Sequence, residues 1–453
     1  FKMLLPADLG LIKALMIKGL ASTLLAACII VLYMLATDRW FKPLLERLLL
    51  RKETLAKVRI LYAWIKRHGL CKKFYFSAFI IGSLWYYFIS TQLNQIITFS
   101  ISWMLYVCVL LLGAVYLMQG VTLKRLLLGI FLGAIVAISW FKSDNVFMLL
   151  LTLFLLSSRK IPIKSVIQID LALRVTMIVV LSILSVSGII DNYTMLREAS
   201  TRFRYSMGFT HPNAFAANLL SVFTCAIYLL KDRKTLKWLV IKLGFTGLMI
   251  SLCLIISDSR TSAIVIAAIA AMLVVSENGQ GGIFKNRVIR VITCWSVVIF
   301  TILMVYVTVV PSFGGMLGSL NELVTGRFLN NRRVYSMFGF SLLGQNMSSL
   351  VSTREALETG ARALLLDCAY LRLGIEYGVV ILVLWNVLHV RGFVTLFKMR
   401  NYTAIILLLG WLVYGLVETP AISIFYNIPL LFLGYVFRNN NKGEKAHETR
   451  RPA

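Results

Sequence analysis

Apolar segments long enough to cross a bilayer recur along almost the whole chain, and this limits the folds open to it. Because 59% of the 453 residues are apolar and only 15% are charged, these segments cannot all be buried in one soluble core. A transmembrane helix needs ~20 apolar residues, so we predict an all-α polytopic membrane protein with about 11–13 transmembrane helices. The predicted spans are 19–36, 74–90, 96–118, 126–141, 145–157, 171–190, 213–230, 238–256, 261–276, 289–310, 368–390, 402–418 and 421–437.

Three regions follow from this pattern. Residues 1–73 hold an N-terminal membrane segment and a basic region, 74–437 form the polytopic body, and 438–453 form a basic tail. Apolar residues in 41–67 fall near helical spacing, which fits either an amphipathic helix on the inner membrane surface or an ordinary basic loop. Spans 126–141 and 145–157 are short, so a single re-entrant hairpin is an alternative for them.

The basic residues predict the orientation of the spans. The net charge of +28 comes from 47 Lys and Arg against 19 Asp and Glu, and cytoplasmic loops collect such residues. We therefore attribute the charge to topology and expect no nucleic-acid partner. With the C-terminus in the cytoplasm, basic segments 37–73, 157–164, 231–237, 284–290 and 391–400 fall on the same side. The two long segments on the outer side are then 191–212 and 311–367.

From residue 166 onward, the basic residues on the predicted outer side are all arginine, and the lysines lie on or near the cytoplasmic side. Arginine presents a planar fork of donors that matches phosphate oxygens, and helices that enter from this side present positive N-termini to it. We predict a phosphate or diphosphate site here; chance combined with salt bridges to outer carboxylates is the alternative. The nine outer arginines are 197, 202, 204, 260, 327, 332, 333, 354 and 362.

Four motifs between residues 207 and 380 resemble the motifs of one family and occur in the same order. They are MGFTHPNAFAANLL (207–220), SDSRTSAIV (257–265), TGRFLNNRRVYSMFGFSLLGQN (325–346) and LDCAYLRLGIEYGVV (366–380). Together they resemble the GF-x-HPN, S-R-T, G-R…G and D-N-x-Y-L motifs of the O-antigen polymerase/ligase superfamily. The match is strongest to Wzy-type polymerases of exopolysaccharide, capsule and O-antigen repeat units. The spacing from Arg333 to Gly344 also resembles a family Arg-x10-Gly motif.

The resemblance implies a helical bundle similar to GT-C glycosyltransferases in the bacterial cytoplasmic membrane. It implies transfer of a growing glycan from undecaprenyl diphosphate to the next lipid-linked repeat unit at the outer face, without cofactor or metal. A chain-length regulator and a flippase are the protein partners that it implies. Neither a DxD motif nor a Cys/His cluster is present in the sequence, which fits a metal-independent reaction.

The resemblance and the outer arginines together predict the site residues. We expect the diphosphate to bind Arg260, Arg327 and Arg333, with Arg202 and Arg204 assisting on one substrate. For the catalytic base we consider Asp367, Glu322 and His211, although a carboxylate beside arginines also serves as a counter-ion. His211 fits equally well as a polar neighbour of a helix start at Pro212 and Asn213. Tyr370 and Gly344 are expected to be structural.

Two other functions compete with the polymerase. An O-antigen ligase-like transferase resembles the same family, but its usual histidine in the long outer loop is missing from 311–367. A lipid-linked oligosaccharide flippase or transporter would carry charges at the bilayer midplane. From the predicted spans, Arg174, Lys242, Arg372 and Glu376 are expected to lie nearer span ends, which argues against a transporter.

Overall fold

A computed structural model describes most of the chain from residue 69 to residue 438. Short gaps fall at 98–99, 121, 197–201, 234, 278–281, 311–314, 325, 352–355, 357–358 and 361–362. The first predicted span, the basic segment 41–67, the C-terminal tail and Arg197, Arg354 and Arg362 therefore lie outside the described residues.

The described residues are mainly helical. The only strands among them, β1 (Thr194–Leu196) and β2 (Phe203–Tyr205), pair as an antiparallel hairpin within the predicted outer segment 191–212. The helices in chain order are α1 (Leu70–Ser90), α2 (Ser102–Met118), α3 (Leu123–Ser143), α4 (Phe147–Ser157), α5 (Ile163–Val186), α6 (Pro212–Leu229), α7 (Leu236–Ile255), α8 (Arg260–Glu277), α9 (Arg287–Val309), α10 (Met316–Leu323), α11 (Arg327–Phe338), α12 (Ala369–Arg372), α13 (Val379–Lys398) and α14 (Tyr402–Tyr414).

Six of these helices are long and apolar enough to cross a membrane: α3, α5, α6, α7, α9 and α13. Shorter apolar helices, including α2, α4 and α14, accompany them. The prediction of an all-α multi-pass membrane protein is confirmed at this level. Of the two short predicted spans, α3 is a full 21-residue helix, whereas α4 has only 11 residues.

The described residues divide into two compact units, 69–85 with 100–134, and 86–97 with 135–438. In the first unit, the Cys108 thiol donates to the Ala78 carbonyl at 3.3 Å. The Tyr116 hydroxyl donates to the Arg125 carbonyl at 2.6 Å. All four sequence motifs fall in the second unit.

Helix α6 is the central helix of the second unit. In its most apolar window 78% of the residues are buried, against 22% in α7. It packs against α5, α7 and α8, and it has apolar and small residues on all sides (PNAFAANLLSVFTCAIYL). A helix that is apolar all round fits the middle of a bundle rather than the lipid boundary. The HPN motif therefore starts a helix whose position is fixed by neighbours on every side.

The predicted span 368–390 is interrupted near its start. A π-helical turn, Leu373–Tyr377, follows α12, and Gly378 (φ 105°) separates it from α13. A non-helical segment after α11, which we call the inserted loop (339–346), bonds to this interruption. Ser341 N donates to Gly374 O at 3.3 Å, and Val379 N donates to Ser341 O at 2.8 Å. Part of the long predicted outer loop is thus bound to a membrane helix.

The last two predicted spans are also shorter than the sequence pattern indicates. Helix α14 ends at Tyr414, a 3-10 helix covers Thr419–Ile422, and another 3-10 helix covers Ile428–Phe437. We call the connection between α14 and the final helix the C-terminal linker (415–427). Pro420 has no backbone N–H to donate, and Glu418 lies beyond the end of α14 rather than inside a span.

The structure corrects the expected position of Arg174. Helix α5 begins at Ile163, eight residues before the predicted span start, and ends at Val186. Arg174 therefore lies at the middle of the helix and not nearer its end. The residue is 1% exposed, and its guanidinium forms an ion pair with Asp170 at 2.7 Å.

Candidate active site at the helix ends

The HPN motif caps the N-terminus of α6. His211 has extended backbone angles, and its Nδ1 accepts a hydrogen bond from Asn213 N at 3.0 Å. Pro212 occupies the first helical position, where a missing N–H costs nothing. The interpretation of His211 as a polar neighbour of a helix start agrees with this geometry.

Asn213 connects two charged residues from distant parts of the chain. Its Nδ2 donates to Glu418 Oε1 at 2.9 Å, and its Oδ1 accepts a short hydrogen bond from Arg204 Nη2. The β-hairpin carries Arg204, whose Nε also donates to the Ser257 carbonyl at 2.9 Å. The first two sequence motifs therefore meet at this arginine.

Arg327 lies between two carboxylates. Its Nη1 is 2.7 Å from Glu418 Oε1, and its Nε is 3.8 Å from Asp367 Oδ2. Nη1 also donates a short hydrogen bond to the Val417 carbonyl. Gly326, with φ 78°, precedes α11 and turns the chain so that Arg327 is the first helical residue.

Asp367 is the more open of the two carboxylates. Its side chain is 27% exposed, whereas that of Glu418 is 7% exposed. The Asp367 backbone N–H donates to Asn331 Oδ1 at 3.2 Å, which ties the fourth motif to the third. We refer to Arg204, Asn213, Arg327, Asp367 and Glu418 as the charged cluster.

Burial and charge move the pKa values of the ionisable groups at this site. Loss of solvent raises the pKa of Asp367, and the nearby Arg327 and Arg372 pull it back only in part. The pKa of Glu418 is also raised by burial, against the lowering effect of Arg327. Burial first, and then Arg204 and Arg327, lower the pKa of His211 to about 4. A carboxyl with a raised pKa accepts a proton better than an ordinary one.

The charged cluster is electrically balanced, because two arginines face two carboxylates. Arg327 is therefore already neutralised before any anionic substrate arrives. Arg202 and Arg260 are exposed, and no hydrogen bond or ion pair to them is seen in the described part of the chain. Arg333 Nη1 donates a hydrogen bond to Asn330 Oδ1 at 3.2 Å. Within the described residues, none of these three arginines forms an ion pair with a carboxylate.

The other predicted site residues lie apart from the cluster. Glu322 is exposed on α10, and no contact between described residues joins it to the cluster. Tyr370 is buried and donates to the Leu412 carbonyl at 2.8 Å. Gly344, with φ 103°, lies in the inserted loop. A Cβ added at this position would lie within 3.1 Å of two backbone oxygens. The structural roles predicted for both residues stay predictions.

A second polar group lies along the same interrupted helix. Arg372 Nε is 3.3 Å from Glu376 Oε2, and Asn145 Nδ2 donates to Glu376 Oε1 at 2.7 Å. Arg372 also interacts electrostatically with Asp367. Opposite charges therefore alternate from Arg204 through the charged cluster to Glu376.

Sequence reasoning missed Glu418. The hydropathy pattern placed Glu418 at the end of the predicted span 402–418, where an acidic residue is expected simply to mark the end of the span. The signal that was available is the Glu-Thr-Pro sequence, because a proline two residues after a carboxylate ends a helix and leaves the carboxylate in a turn. No group of three potential metal ligands occurs among the described residues.

Comparisons with protein-family models, with curated proteins and with solved structures give no match to this chain. The resemblance to the O-antigen polymerase/ligase superfamily therefore rests on the four motifs alone.

His211 makes the stability of the fold depend on pH, and a variant that keeps the helix-capping acceptor tests this contribution. The pKa of His211 is about 4 in the folded state and ~6.5 in the unfolded state. The contribution of His211 to the free energy of unfolding is thus fully present above pH ~6.5. It falls as the pH drops toward 4, by up to about 3 kcal/mol. The carboxyls with raised pKa values contribute with the opposite sign, because their protonation favours the folded state as the pH falls. We expect His211→Asn, which keeps a capping acceptor, to reduce the loss of thermal stability between pH 6.5 and 4.5. Equal losses in both proteins would contradict this.

Proposed function

We propose that the chain is a polysaccharide polymerase of the outer face of the bacterial cytoplasmic membrane. It would transfer a growing glycan from undecaprenyl diphosphate to the next lipid-linked repeat unit. The observation that carries this proposal is the convergence of all four motifs on the charged cluster. Asn213 and Arg327, which are 114 positions apart in sequence, contact the same carboxylate of Glu418.

Asp367 is the best candidate for the base in this reaction. The acceptor sugar hydroxyl attacks the anomeric carbon, the bond from that carbon to the diphosphate oxygen breaks, and Asp367 takes the hydroxyl proton. Its exposed fraction and raised pKa suit this role. Glu418 is less suited, because Arg327 and Asn213 already occupy its Oε1.

Arg260 and Arg333 are the best candidates for stabilising the diphosphate that leaves. Neither forms an ion pair with a carboxylate among the described residues, so their charge is available to an anion. Arg202 is exposed and would assist. Arg327 and Arg204 instead orient the carboxylate groups of the charged cluster. Arg327 thus has a different role from the diphosphate contact that the sequence predicted.

Lysine substitutions test the diphosphate contacts. We expect Arg260→Lys and Arg333→Lys each to reduce polymer formation by roughly 10²-fold, because an ammonium group cannot replace a bidentate guanidinium. Protein level in the membrane should stay unchanged. Arg391→Lys, on the predicted cytoplasmic side, is the matched control and should behave as wild type. Near-normal polymer length in both variants would remove these arginines from the site.

One observation favours a second function. Arg174 and Asp170 are charged residues at the middle of a membrane helix, as transporters often have. They are fully paired with each other, however, and α5 is continuous. A flippase for lipid-linked oligosaccharides is therefore the second candidate, and a ligase-like transferase remains the alternative within the family.

A strain without this gene distinguishes the three functions. Surface glycan is separated by gel electrophoresis, and lipid-linked intermediates are identified by mass spectrometry. Single repeat units in place of long chains would support the polymerase. Full-length polymer left on its lipid carrier would indicate a ligase, and single units confined to the cytoplasmic leaflet would indicate a flippase.

A further inference from the structure

Arg174 makes more contacts than an ion pair requires. Besides Asp170, its Nη1 donates to Asn218 Oδ1 at 2.6 Å, and its Nη2 donates to the Phe425 carbonyl at 2.8 Å. Tyr87 also donates to Asn218 Oδ1, at 3.3 Å. The guanidinium therefore connects α5, α6 and the C-terminal linker at one buried point.

The contact with Phe425 satisfies a backbone hydrogen-bond acceptor. The residues around Phe425 lie between the two 3-10 helices, so their carbonyls lack the partners that a continuous helix supplies. In a membrane interior an unsatisfied carbonyl costs several kcal/mol. Arg174 satisfies the Phe425 carbonyl, and Ser221 on α6 donates a short hydrogen bond to the Tyr426 carbonyl. Asn427 Nδ2 donates back to Ala421 O at 2.7 Å.

The same linker is held at its other end by α6. Asn213, at the start of α6, binds Glu418, and Ser221, two turns further along, binds Tyr426. Asn218 lies between them on α6 and is the residue that Arg174 contacts. Glu418 is consequently fixed by contacts at both ends of a segment that has no α-helix of its own.

We propose that Arg174 is a positioning residue that fixes the C-terminal linker against α6 and so holds Glu418 beside Arg327. Two opposite charges in a buried site gain little stability by themselves, because desolvation offsets their attraction. The hydrogen bond to the Phe425 carbonyl is the contribution that an apolar pair cannot replace. The proposal does not depend on which reaction the charged cluster performs.

Two variants separate the hydrogen bond from the charge balance. Arg174→Lys keeps the pair with Asp170 and places an ammonium donor close to the linker carbonyl. The double variant Arg174→Met with Asp170→Leu removes both charges together and leaves no donor. Both variants avoid an unpaired buried charge, so both are expected to insert and fold.

Hydrogen exchange of the purified full chain in detergent, without substrate, measures the result. We expect peptides covering 418–427 to exchange at least ~10-fold faster in the apolar double variant than in wild type. The lysine variant should stay within about threefold, and peptides from α13 should be unchanged in both.

Three outcomes would overturn the proposal. These are equal protection of 418–427 in the two variants, a rise in exchange throughout the chain, and failure of lysine to restore protection. Polymer formation by the same variants is a separate readout. If the chain is not a polymerase, that second assay fails for wild type as well, while the exchange result stands.

Discussion

Replacing Arg327 by methionine is expected to lower the free energy of unfolding by about 3–5 kcal/mol and to abolish polymer formation. Methionine fills much of the same space, so the effect comes from charge and not from volume. The change leaves Glu418, which is 6% exposed, without its cation. It also removes the donor to the Val417 carbonyl and the charge facing Asp367. Thermal unfolding of the detergent-solubilised chain and the glycan gel measure the two effects.

A double variant and a neighbouring arginine provide the controls. Arg327→Met combined with Glu418→Met removes both charges, and we expect it to recover most of the stability but none of the polymer. Arg333→Met lies on the same helix and loses only a bond to Asn330, so its stability should change by about 0.5 kcal/mol or less. If Arg327→Met were as stable as Arg333→Met, the ion pair would not hold the helix ends together.

Gly378→Ala is expected to prevent normal folding of the second unit. Gly378 has φ 105°, which L side chains rarely adopt, and an added Cβ would lie 2.6 Å from Leu342 O and 2.7 Å from Gly344 N. Backbone strain of this kind costs on the order of 1–3 kcal/mol, and the clash with two backbone atoms adds to it. The inserted loop would have to leave the interrupted helix, breaking the bonds from Val379 and Gln345.

The control for this change is a glycine in open helical surroundings. Gly247 lies within α7, and a Cβ there would meet no atom within 4 Å. Gly247→Ala should therefore be neutral or stabilising by about 0.5–1 kcal/mol, since alanine favours helices. Membrane-inserted protein level and the thermal midpoint compare the two variants. Similar values for both would show that the inserted loop does not need glycine at this position.

Hydropathy alone determined that the chain is a multi-pass helical membrane protein, because the spacing of apolar residues must match the bilayer. Local motifs also predicted the start of α6 at Pro212, since capping depends on neighbouring residues only. The motifs and the outer arginines together predicted that Asp367, Arg327 and Arg204 belong to one site. The placement of these residues on the outer side and the reaction itself stay predictions.

Only the tertiary structure decided which charges pair. The partners of Arg327 are 40 and 91 residues away in sequence, at Asp367 and Glu418, and no local pattern links them. Hydropathy also could not locate the interruption after Arg372 or the end of α14. A helical turn and an irregular turn of equal apolarity look the same in sequence. The difference lies in whether side chains such as Arg174 and Ser221 reach the carbonyls that an irregular turn leaves free.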